Sequence, residues 1–381
     1  MNRSSLSWIE IDRAALVHNL REFSRLIGPR CRLLAVVKAN AYGHGMLEVS
    51  RILTREGVDW LGVNSLEEAA ALRKAGIKAH FLVLGYVPLA GLDEAVRLGI
   101  RLTVYNEETV ERLAAICRRQ KKKAFLHIKV ETGTQRQGLR PEKVPRFARK
   151  ILGRPGLVLE GLSSHFANIE DTTDPSYPRR QLELFQLAMR SLEKKGVRVP
   201  LKHMSCTAST ILFPETYHDM VRVGIGLYGY WPSKETYLSC RLQMRCAVQL
   251  KPVLSWRARV AQVKRVPRGE FIGYGGTYRT TRPTVLAVLP VGYSDGYGRA
   301  LSNASFVLIR GRRAPVRGRV AMNFLTADVT DIKGVRLEER ATLIGRDGSE
   351  SCTAEHLASL NGTIAYEVLS RLNPGLPRIV V

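Results

Sequence analysis

Lys38 is the residue whose setting in this sequence most favours covalent chemistry. It follows an apolar run at residues 33–37 and precedes a segment rich in glycine and polar residues. Such a run is typical of a strand buried on both faces, so Lys38 is expected at the carboxyl end of a strand. There an amine loses hydration, its pKa falls, and the neutral form becomes a nucleophile able to form a Schiff base. On this segment alone, a lysine that simply caps a strand is an equally good interpretation.

The elements that must position Lys38 alternate between strands and helices. Asp12 is a good N-cap for a first helix, and Ser65 with Glu68 predicts a capping box before a later one. About eight strand-like segments start from residue 33, and each is followed by a stretch of helical length. This count predicts an α/β fold with an N-terminal (β/α)8 TIM barrel rather than an open doubly wound sheet.

The sequence pattern changes near residue 235. Strand-like segments broken by Gly, Pro and Asp follow, with a late helix at residues 354–360. They predict a mainly β C-terminal domain. We therefore predict an N-terminal strand at residues 1–11, a barrel at residues 12–235 and the β domain at residues 236–381. Whether the first strand pairs with the β domain stays open at this point.

Composition argues against several classes of protein. The formal net charge is +25, but the basic residues are spread along the chain, and the one dense run, at residues 118–123, fits a solvated loop. The charge therefore indicates a general attraction for anions rather than nucleic-acid binding. No apolar segment approaches the roughly 18 residues of a membrane span, and the N-terminus lacks the apolar core of a signal peptide. The six cysteines are scattered without a CxxC pair, so we predict no metal site and a cytoplasmic location.

Polar residues that follow the predicted barrel strands are candidates for an active site, because they converge on one face of the barrel. They are Lys38, Tyr42, Lys129, Glu131, Arg136, His165, Asn168, Ser205, Thr207, Arg222, Gly224 and Ile225. Loops after the last two strands of such barrels often hold phosphate. A reactive lysine and a phosphate pocket at one barrel mouth indicate pyridoxal 5'-phosphate (PLP).

The order of motifs along nearly the whole chain resembles that of the alanine racemase family. In the barrel the matching segments are AVVKANAYGHG at 35–45, KVETG at 129–133, SHFA at 164–167 and VRVGIGLYG at 221–229. In the β domain they are YG at 274–275, VGYSDGY at 291–297, GRVAM at 318–322 and YE at 366–367. The resemblance implies a PLP-dependent racemase that interconverts L-alanine and D-alanine and supplies D-alanine for bacterial peptidoglycan.

Two residues take catalytic roles under this resemblance. Lys38 would hold PLP covalently and then act as the base on one face of the substrate Cα. Tyr274, from the partner subunit of a head-to-tail homodimer with shared active sites, would act on the other face. Racemisation needs two such groups, because one removes the proton and the other delivers a proton to the opposite face.

The other matched residues would bind the cofactor and the substrate. Arg222 would face the pyridine nitrogen, and because a guanidinium stays protonated, that nitrogen would stay neutral and transamination would be disfavoured. The resemblance assigns cofactor binding to Lys38, Tyr42, Arg136, His165, Ser205, Arg222, Gly224, Ile225 and Tyr366. It assigns substrate binding to Arg136, Met322 and Tyr293. It also implies N6-carboxylation of Lys129, for which an ordinary Lys129–Glu131 ion pair is the alternative.

Several positions depart from the pattern that is common in the family. Asn323 stands where aspartate is usual, and Phe324 follows it; Met204 stands where asparagine is usual. None of these is a proton-transfer residue, so they bear on substrate preference. A broader amino-acid racemase that also accepts serine or larger side chains is therefore the main alternative.

Other functions fit the residues less well. A PLP-dependent decarboxylase of the same barrel family would place a glutamate where Arg222 stands. A non-catalytic PLP-binding protein would lack Tyr274 and the second domain. A nucleic-acid-binding role rests on net charge alone.

Overall fold

The computed structural model describes residues 5–242 and 248–381. Its strands are, in chain order, β1 (Ser7–Ile11), β2 (Arg32–Val36), β3 (Trp60–Val63), β4 (His80–Val83), β5 (Arg101–Val104), β6 (Ala124–Lys129), β7 (Leu157–Ser163), β8 (Leu201–His203), β9 (Met220–Val223), β10 (Leu254–Arg259), β11 (Gln262–Val266), β12 (Phe271–Ile272), β13 (Tyr278–Arg279), β14 (Thr284–Leu289), β15 (Phe306–Ile309), β16 (Arg312–Pro315), β17 (Leu325–Asp328), β18 (Arg340–Asp347), β19 (Glu350–Cys352) and β20 (Arg378–Val380). Its helices are α1 (Arg13–Ile27), α2 (Lys38–Tyr42), α3 (Met46–Arg55), α4 (Leu66–Lys74), α5 (Leu92–Arg97), α6 (Glu107–Gln120), α7 (Val144–Leu152), α8 (Ser176–Glu193), α9 (Thr207–Leu212), α10 (Lys234–Leu242), α11 (Ala354–Leu360) and α12 (Ala365–Ser370).

Eight parallel strands of the described residues form a barrel, in the order β8-β7-β6-β5-β4-β3-β2-β9. At least one helix connects each strand to the next along the chain. The sheet is nearly closed, because the N–H of Asp219 donates to the Lys202 carbonyl at 3.0 Å and that of Arg222 donates to the Ser205 carbonyl at 3.1 Å. All four positions of β3 and of β9 are buried, as expected for strands covered on both faces. The predicted TIM barrel is confirmed.

The second compact unit is mainly β, as predicted. Within the described residues its large sheet has the order β16-β15-β18-β10-β1-β20, with β19 paired to β18, and two smaller sheets are β11-β14-β17 and β12-β13. The first strand lies in the large sheet, antiparallel to β10 and parallel to β20. The predicted late helix is α11, and α12 follows it without having been predicted.

The two compact units interleave along the chain. The barrel unit comprises Leu16–Ala39 and Val49–Lys251, whereas the β unit takes Asn40–Glu48 and Pro252–Val381 together with the described residues up to Ala15. The segment directly after Lys38 thus belongs with the β unit. The domain boundaries at residues 11 and 235 stay predictions.

The chain turns left-handed immediately after Lys38. Ala39, Asn40, Ala41 and Tyr42 have φ between 52 and 53°, so α2 is a left-handed turn. Such a conformation costs a non-glycine residue about 1–2 kcal/mol, and it persists where the surrounding structure imposes it, often at functional sites. Gly43 ends the turn, and a Cβ there would lie 2.0 Å from the Leu369 carbonyl oxygen, so only glycine fits.

The dense basic run is largely exposed, as predicted, but the predicted loop is wrong for residues 118–120, which end a helix. Arg118 and Arg119 lie in the last turn of α6, and the three lysines that follow are exposed in the loop before β6. The charge of this run therefore faces water. Separately, none of the helices in residues 5–242 and 248–381 combines the length and apolarity that a membrane span requires.

Candidate active site

Lys38 lies at the mouth of the barrel, directly after β2. The neighbouring strand β3 holds the residue just before Lys38, because the N–H of Val37 donates to the Gly62 carbonyl at 2.8 Å. Burial lowers the pKa of the Lys38 amine, and the positive charges of Arg136 and Arg222 lower it further against the opposing effect of Glu68. More of the amine is therefore neutral and nucleophilic than in a lysine in water.

Glu68 links the start of α4 to the chain beside Lys38. Ser65 caps the helix, and its hydroxyl accepts from the Glu68 N–H at 3.4 Å. The prediction of a capping box is wrong in one respect: in the described residues the Glu68 carboxylate does not accept a hydrogen bond from the Ser65 N–H. It accepts instead from the N–H of Asn64 at 2.6 Å and from the N–H of Ala39 at 2.8 Å. Its charge is thus held next to Lys38.

Arg222 extends from β9 into the barrel and is only 6% exposed. Its NH1 donates to Nδ1 of His203 at 2.8 Å and to the His203 carbonyl at 2.9 Å. Its NH2 donates to the carbonyls of Ser164 and Met204 at 2.7 and 3.1 Å and to Nδ1 of His165 at 3.1 Å. Burial lowers the pKa of Arg222 to about 10, so it stays protonated at neutral pH. Any group that binds this guanidinium must accept hydrogen bonds.

The two histidines beside Arg222 are neutral. Burial lowers the pKa of both His165 and His203 well below the ordinary value, and the charge of Arg222 lowers it further. Because the guanidinium only donates, Nδ1 of each ring is an acceptor and the single ring proton sits on Nε2. This assignment follows from the hydrogen-bond partners.

Lys129 ends β6 and is surrounded by positive charge. Burial lowers its pKa well below the ordinary value, and Arg222 and Arg136 lower it further. The Glu131 carboxylate accepts from the N–H groups of Gly133 and Arg136 and from the Thr134 hydroxyl. It therefore binds the loop that directly follows it. Within residues 5–242 and 248–381 the Lys129 amine forms no ion pair with it.

Ser205 follows β8 and its hydroxyl lies in a buried cluster of hydroxyl groups. Its Oγ is 3.0 Å from Ser209 Oγ and 3.0 Å from Thr210 Oγ1, and it accepts from Thr216 Oγ1 at 3.2 Å. Ser205 itself is fully buried. The hydroxyl is thus anchored at the end of a barrel strand, in the region where such barrels hold phosphate.

The loop after β9 is organised by Thr207. Its Oγ1 accepts from the N–H of Gly224 at 3.2 Å and from that of Gly226 at 3.4 Å. A Cβ at residue 226 would lie 2.4 Å from the Phe23 ring, so the loop requires glycine at this position. Ile225 begins the following 3₁₀ turn, in which the N–H of Gly226 donates to Thr207 and that of Leu227 donates to the Gly224 carbonyl at 2.9 Å.

Tyr42 and Tyr366 meet in the β unit, where their ring centroids are 6.0 Å apart. The other predicted residues of this unit are exposed: Tyr274 by 73%, Tyr293 by 44% and Met322 by 56%. These three side chains thus lie at the surface of the β unit.

The loops that carry Tyr293 and Met322 are joined by hydrogen bonds. The N–H of Tyr293 donates to the Ala321 carbonyl and that of Ser294 to the Met322 carbonyl, both at 3.1 Å. Asn323 Nδ2 donates to Ser294 Oγ at 2.8 Å. Asn323, one of the departures from the family pattern, thus has a structural role in this surface.

His127 and His203 were not predicted as site residues. Both lie within barrel strands and are at most 1% exposed, and His203 contacts Arg222 directly. For His127 the available signal was a histidine between apolar residues of a strand, which requires a buried hydrogen-bond partner. The sequence does not identify that partner, because it lies on another strand.

The family follows from the chain's match to two domain models that cover nearly its whole length. Residues 11–232 match the alanine racemase N-terminal domain, and residues 253–380 match the alanine racemase C-terminal domain. The chain belongs to the alanine racemase family. It is an isomerase of that family, and its barrel and β unit correspond to the two family domains in order.

Individual relatives agree with this assignment. Alanine racemase 2 of Caldanaerobacter subterraneus subsp. tengcongensis is 38% identical over 374 residues, which cover 98% of this chain and 94% of that protein. The alanine racemase of Bacillus anthracis, solved with bound L-Ala-P, has a TM-score of 0.92 at 33% identity and covers 100% of this chain and 96% of its own. The histidine racemase of Leuconostoc mesenteroides subsp. sake has a TM-score of 0.90 at 28% identity, with coverage of 100% and 99%. Racemases named for different substrates thus share this architecture.

His44, in the lysine segment of this alanine racemase family member, makes stability depend on pH. The ring is fully buried, and burial lowers its pKa to about 4. The unfolded chain takes up this proton near pH 6.5, so falling pH favours unfolding between about 6.5 and 4. From pH 7.5 to 5.0 the free energy of unfolding of His44→Gln should fall less than that of the wild type, by roughly 2 kcal/mol. Urea unfolding at matched protein concentration measures this, and a pH-independent difference would contradict it.

Proposed function

We propose that this protein interconverts L-alanine and D-alanine with PLP as cofactor. The observation that carries the proposal is a lysine of lowered pKa at the barrel mouth together with a buried arginine that can only donate. The membership of the chain in the alanine racemase family supports the same reaction. The cytoplasm is the proposed compartment, and D-alanine for peptidoglycan is the proposed use of the product.

The donor groups of the site fit PLP. The neutral fraction of the Lys38 amine suits bond formation with an aldehyde. The Arg222 guanidinium suits a pyridine nitrogen that carries no proton, since it offers donors only. We propose that Ser205, Gly224 and Ile225 hold the phosphate, and that Tyr42, Tyr366, Arg136 and His165 complete the cofactor site. When bound, PLP supplies an electron sink for the negative charge that develops at Cα.

Lys38 and Tyr274 are the proposed bases on opposite faces of Cα. Lys38 carries the first proton at its Nζ, and the hydroxyl of Tyr274 from the partner subunit carries the other. Tyr274, Tyr293 and Met322 are all exposed, and the last two lie on loops that are joined by hydrogen bonds, which supports a homodimer in which these residues meet a second copy. Met322, Tyr293 and Arg136 are the proposed substrate contacts.

Lys129 is the proposed site of N6-carboxylation. A carbamate forms when a neutral amine attacks the carbon of CO₂ and loses a proton, and burial keeps more of this amine neutral. The product is an anion, which Arg136 and Arg222 would stabilise. Protein incubated with ¹³C-bicarbonate at mildly alkaline pH should show a carbamate carbon resonance that the Lys129→Arg variant lacks. Identical spectra of the two proteins would contradict the proposal, as would electron density with no extra atoms on Lys129.

A broader substrate range is the second candidate. The structural similarity to a protein named as a histidine racemase supports this candidate, because histidine has a larger side chain than alanine. The contact between Tyr42 and Tyr366 favours a small substrate if both tyrosines line the pocket. Purified protein supplied with PLP should therefore be assayed by polarimetry with L-alanine, L-serine and L-histidine. We expect the highest kcat/KM for alanine. A higher value for serine or histidine would make that amino acid the substrate instead. Absence of racemisation of all three amino acids would reject the proposed function.

A further inference from the structure

A continuous chain of hydrogen bonds connects Arg222 to the interior of the barrel. Nδ1 of His203 accepts from Arg222 at 2.8 Å, and Nε2 of His203 lies 2.8 Å from Nδ1 of His127. Nε2 of His127 lies 3.1 Å from Oε2 of Glu160, which also accepts from Nε of Arg101 at 3.2 Å. Four barrel strands, β9, β8, β6 and β7, thus contribute one member each from Arg222 to Glu160.

The chemistry of the two ends fixes the direction of every bond in this chain. The Arg222 guanidinium cannot accept, so Nδ1 of His203 is unprotonated and its Nε2–H donates to His127. His127 then carries its own proton on Nε2 and donates it to Glu160. Burial raises the pKa of Glu160, but the hydrogen bonds and charges of His127 and Arg101 outweigh this effect and the net pKa is lowered, so the carboxylate is ionised and accepts. The donor at Arg222 and the acceptor at Glu160 therefore require the same tautomer of both histidines, with the ring proton on Nε2.

The backbone and side chains around the His127 ring are fitted to it. A Cβ at Gly161 would lie 2.0 Å from Nδ1 of His127, so the imidazole occupies space that only glycine leaves open. The β6–β7 register shifts between Leu126 and His127, beside this contact. Trp60 packs against the His127 ring at a centroid distance of 5.9 Å. These features hold the ring in one place.

We propose that Glu160, His127 and His203 are positioning residues for the cofactor's pyridine nitrogen, acting through Arg222. They hold the guanidinium in one orientation through Nδ1 of His203, and they place the negative charge of Glu160 at the far end of two aligned imidazoles. Arg101, which donates to Glu160, is the first residue of β5. The Glu160 end of the hydrogen-bond chain therefore lies toward the amino-terminal ends of the barrel strands, away from the mouth. The proposal rests on the proposed function only for the identity of the group that Arg222 meets.

The tautomers give a test that needs no enzymatic activity. Protein labelled with ¹⁵N-histidine, prepared without added cofactor and again with PLP, is measured by NMR, where protonated and unprotonated ring nitrogens resonate far apart. His127→Gln and His203→Gln variants assign the signals. Both residues should be protonated on Nε2 alone. A proton on Nδ1 of either ring, or a mixture of forms, would overturn the proposal whether or not the protein racemises alanine.

Two substitutions at Glu160 separate positioning from simple packing. Glu160→Gln keeps an acceptor for His127 and loses the charge, whereas Glu160→Leu loses both. The leucine variant should lose the single tautomer of His127 and lower kcat about tenfold with little change in KM, and the glutamine variant should keep the tautomer and show a smaller loss. Glu108→Leu, on the exposed face of α6, controls for the general effect of the substitution.

The outcomes of this variant pair are decisive in either direction. Unchanged tautomers and unchanged kcat in Glu160→Leu would overturn the proposal. Equal losses of kcat in both variants that follow equal losses of thermal stability would also overturn it, because packing alone would then explain them. If the leucine variant does not fold, the wild-type tautomers and the kcat of Glu160→Gln still decide the question.

Discussion

Replacing Lys38 by alanine should abolish racemisation, with a loss of at least ~10³-fold. A positioned base alone contributes about 10² to 10⁴-fold, and this substitution also removes the proposed covalent anchor of PLP. The apolar strand before Lys38 is unaffected, since the side chain stands at its carboxyl end. The measurement is polarimetry with L-alanine and excess PLP, together with the absorption band of the bound cofactor near 420 nm, which should be lost.

Lys74→Ala is the matched control, because this lysine is exposed at the end of α4. It should leave both activity and the cofactor band at the wild-type level. Retention of more than a tenth of the wild-type activity by Lys38→Ala would remove Lys38 from the centre of the mechanism. Loss of activity in both variants would show only that the assay reports on folding.

Tyr274→Phe should lower racemisation by about 10² to 10⁴-fold while leaving the cofactor attached. The phenylalanine cannot hold or deliver a proton, but Lys38 and the rest of the barrel site are unchanged. The expected signature is selective: one enantiomer of alanine still exchanges its Cα proton with deuterated solvent, and the other does not. Proton NMR of each enantiomer in deuterated water measures this.

Tyr278→Phe is the control for this variant, since Tyr278 lies on the neighbouring strand β13 and is not assigned to the site. It should racemise alanine like the wild type. Equal retention of exchange for both enantiomers in Tyr274→Phe would mean that another group serves the second face. Because Tyr274 is proposed to act on the partner's cofactor, mixed dimers of Lys38→Ala and Tyr274→Phe chains should regain part of the activity.

The barrel and the place of Lys38 were predictable because they depend on local patterns. An apolar run of strand length followed by glycine-rich sequence placed Lys38 after β2, and the repeated alternation of strand and helix gave the barrel. Asp12 caps α1 as predicted, with its carboxylate accepting from the Ala15 N–H at 2.8 Å. Each of these features needs only a short segment of the sequence.

The features that the sequence did not reveal depend on contacts between distant residues. The left-handed turn at residues 39–42 has no glycine until Gly43 and is imposed by its surroundings. His127 and His203 are 76 residues apart, and their hydrogen bond exists only once the barrel has closed. Strand β1 pairs with β20 across nearly the whole chain. Tyr274 shows no chemical sign in its own segment, so only the family resemblance identified it.

The central claim is that two groups on opposite faces of Cα move the proton, and early turnover of L-alanine in deuterated water tests it most directly. The account predicts that the first D-alanine formed carries deuterium at Cα while the remaining L-alanine still carries protium. D-alanine that retains the original proton would contradict the two-base account. Absence of both exchange and D-alanine, with PLP bound, would contradict the racemase function itself.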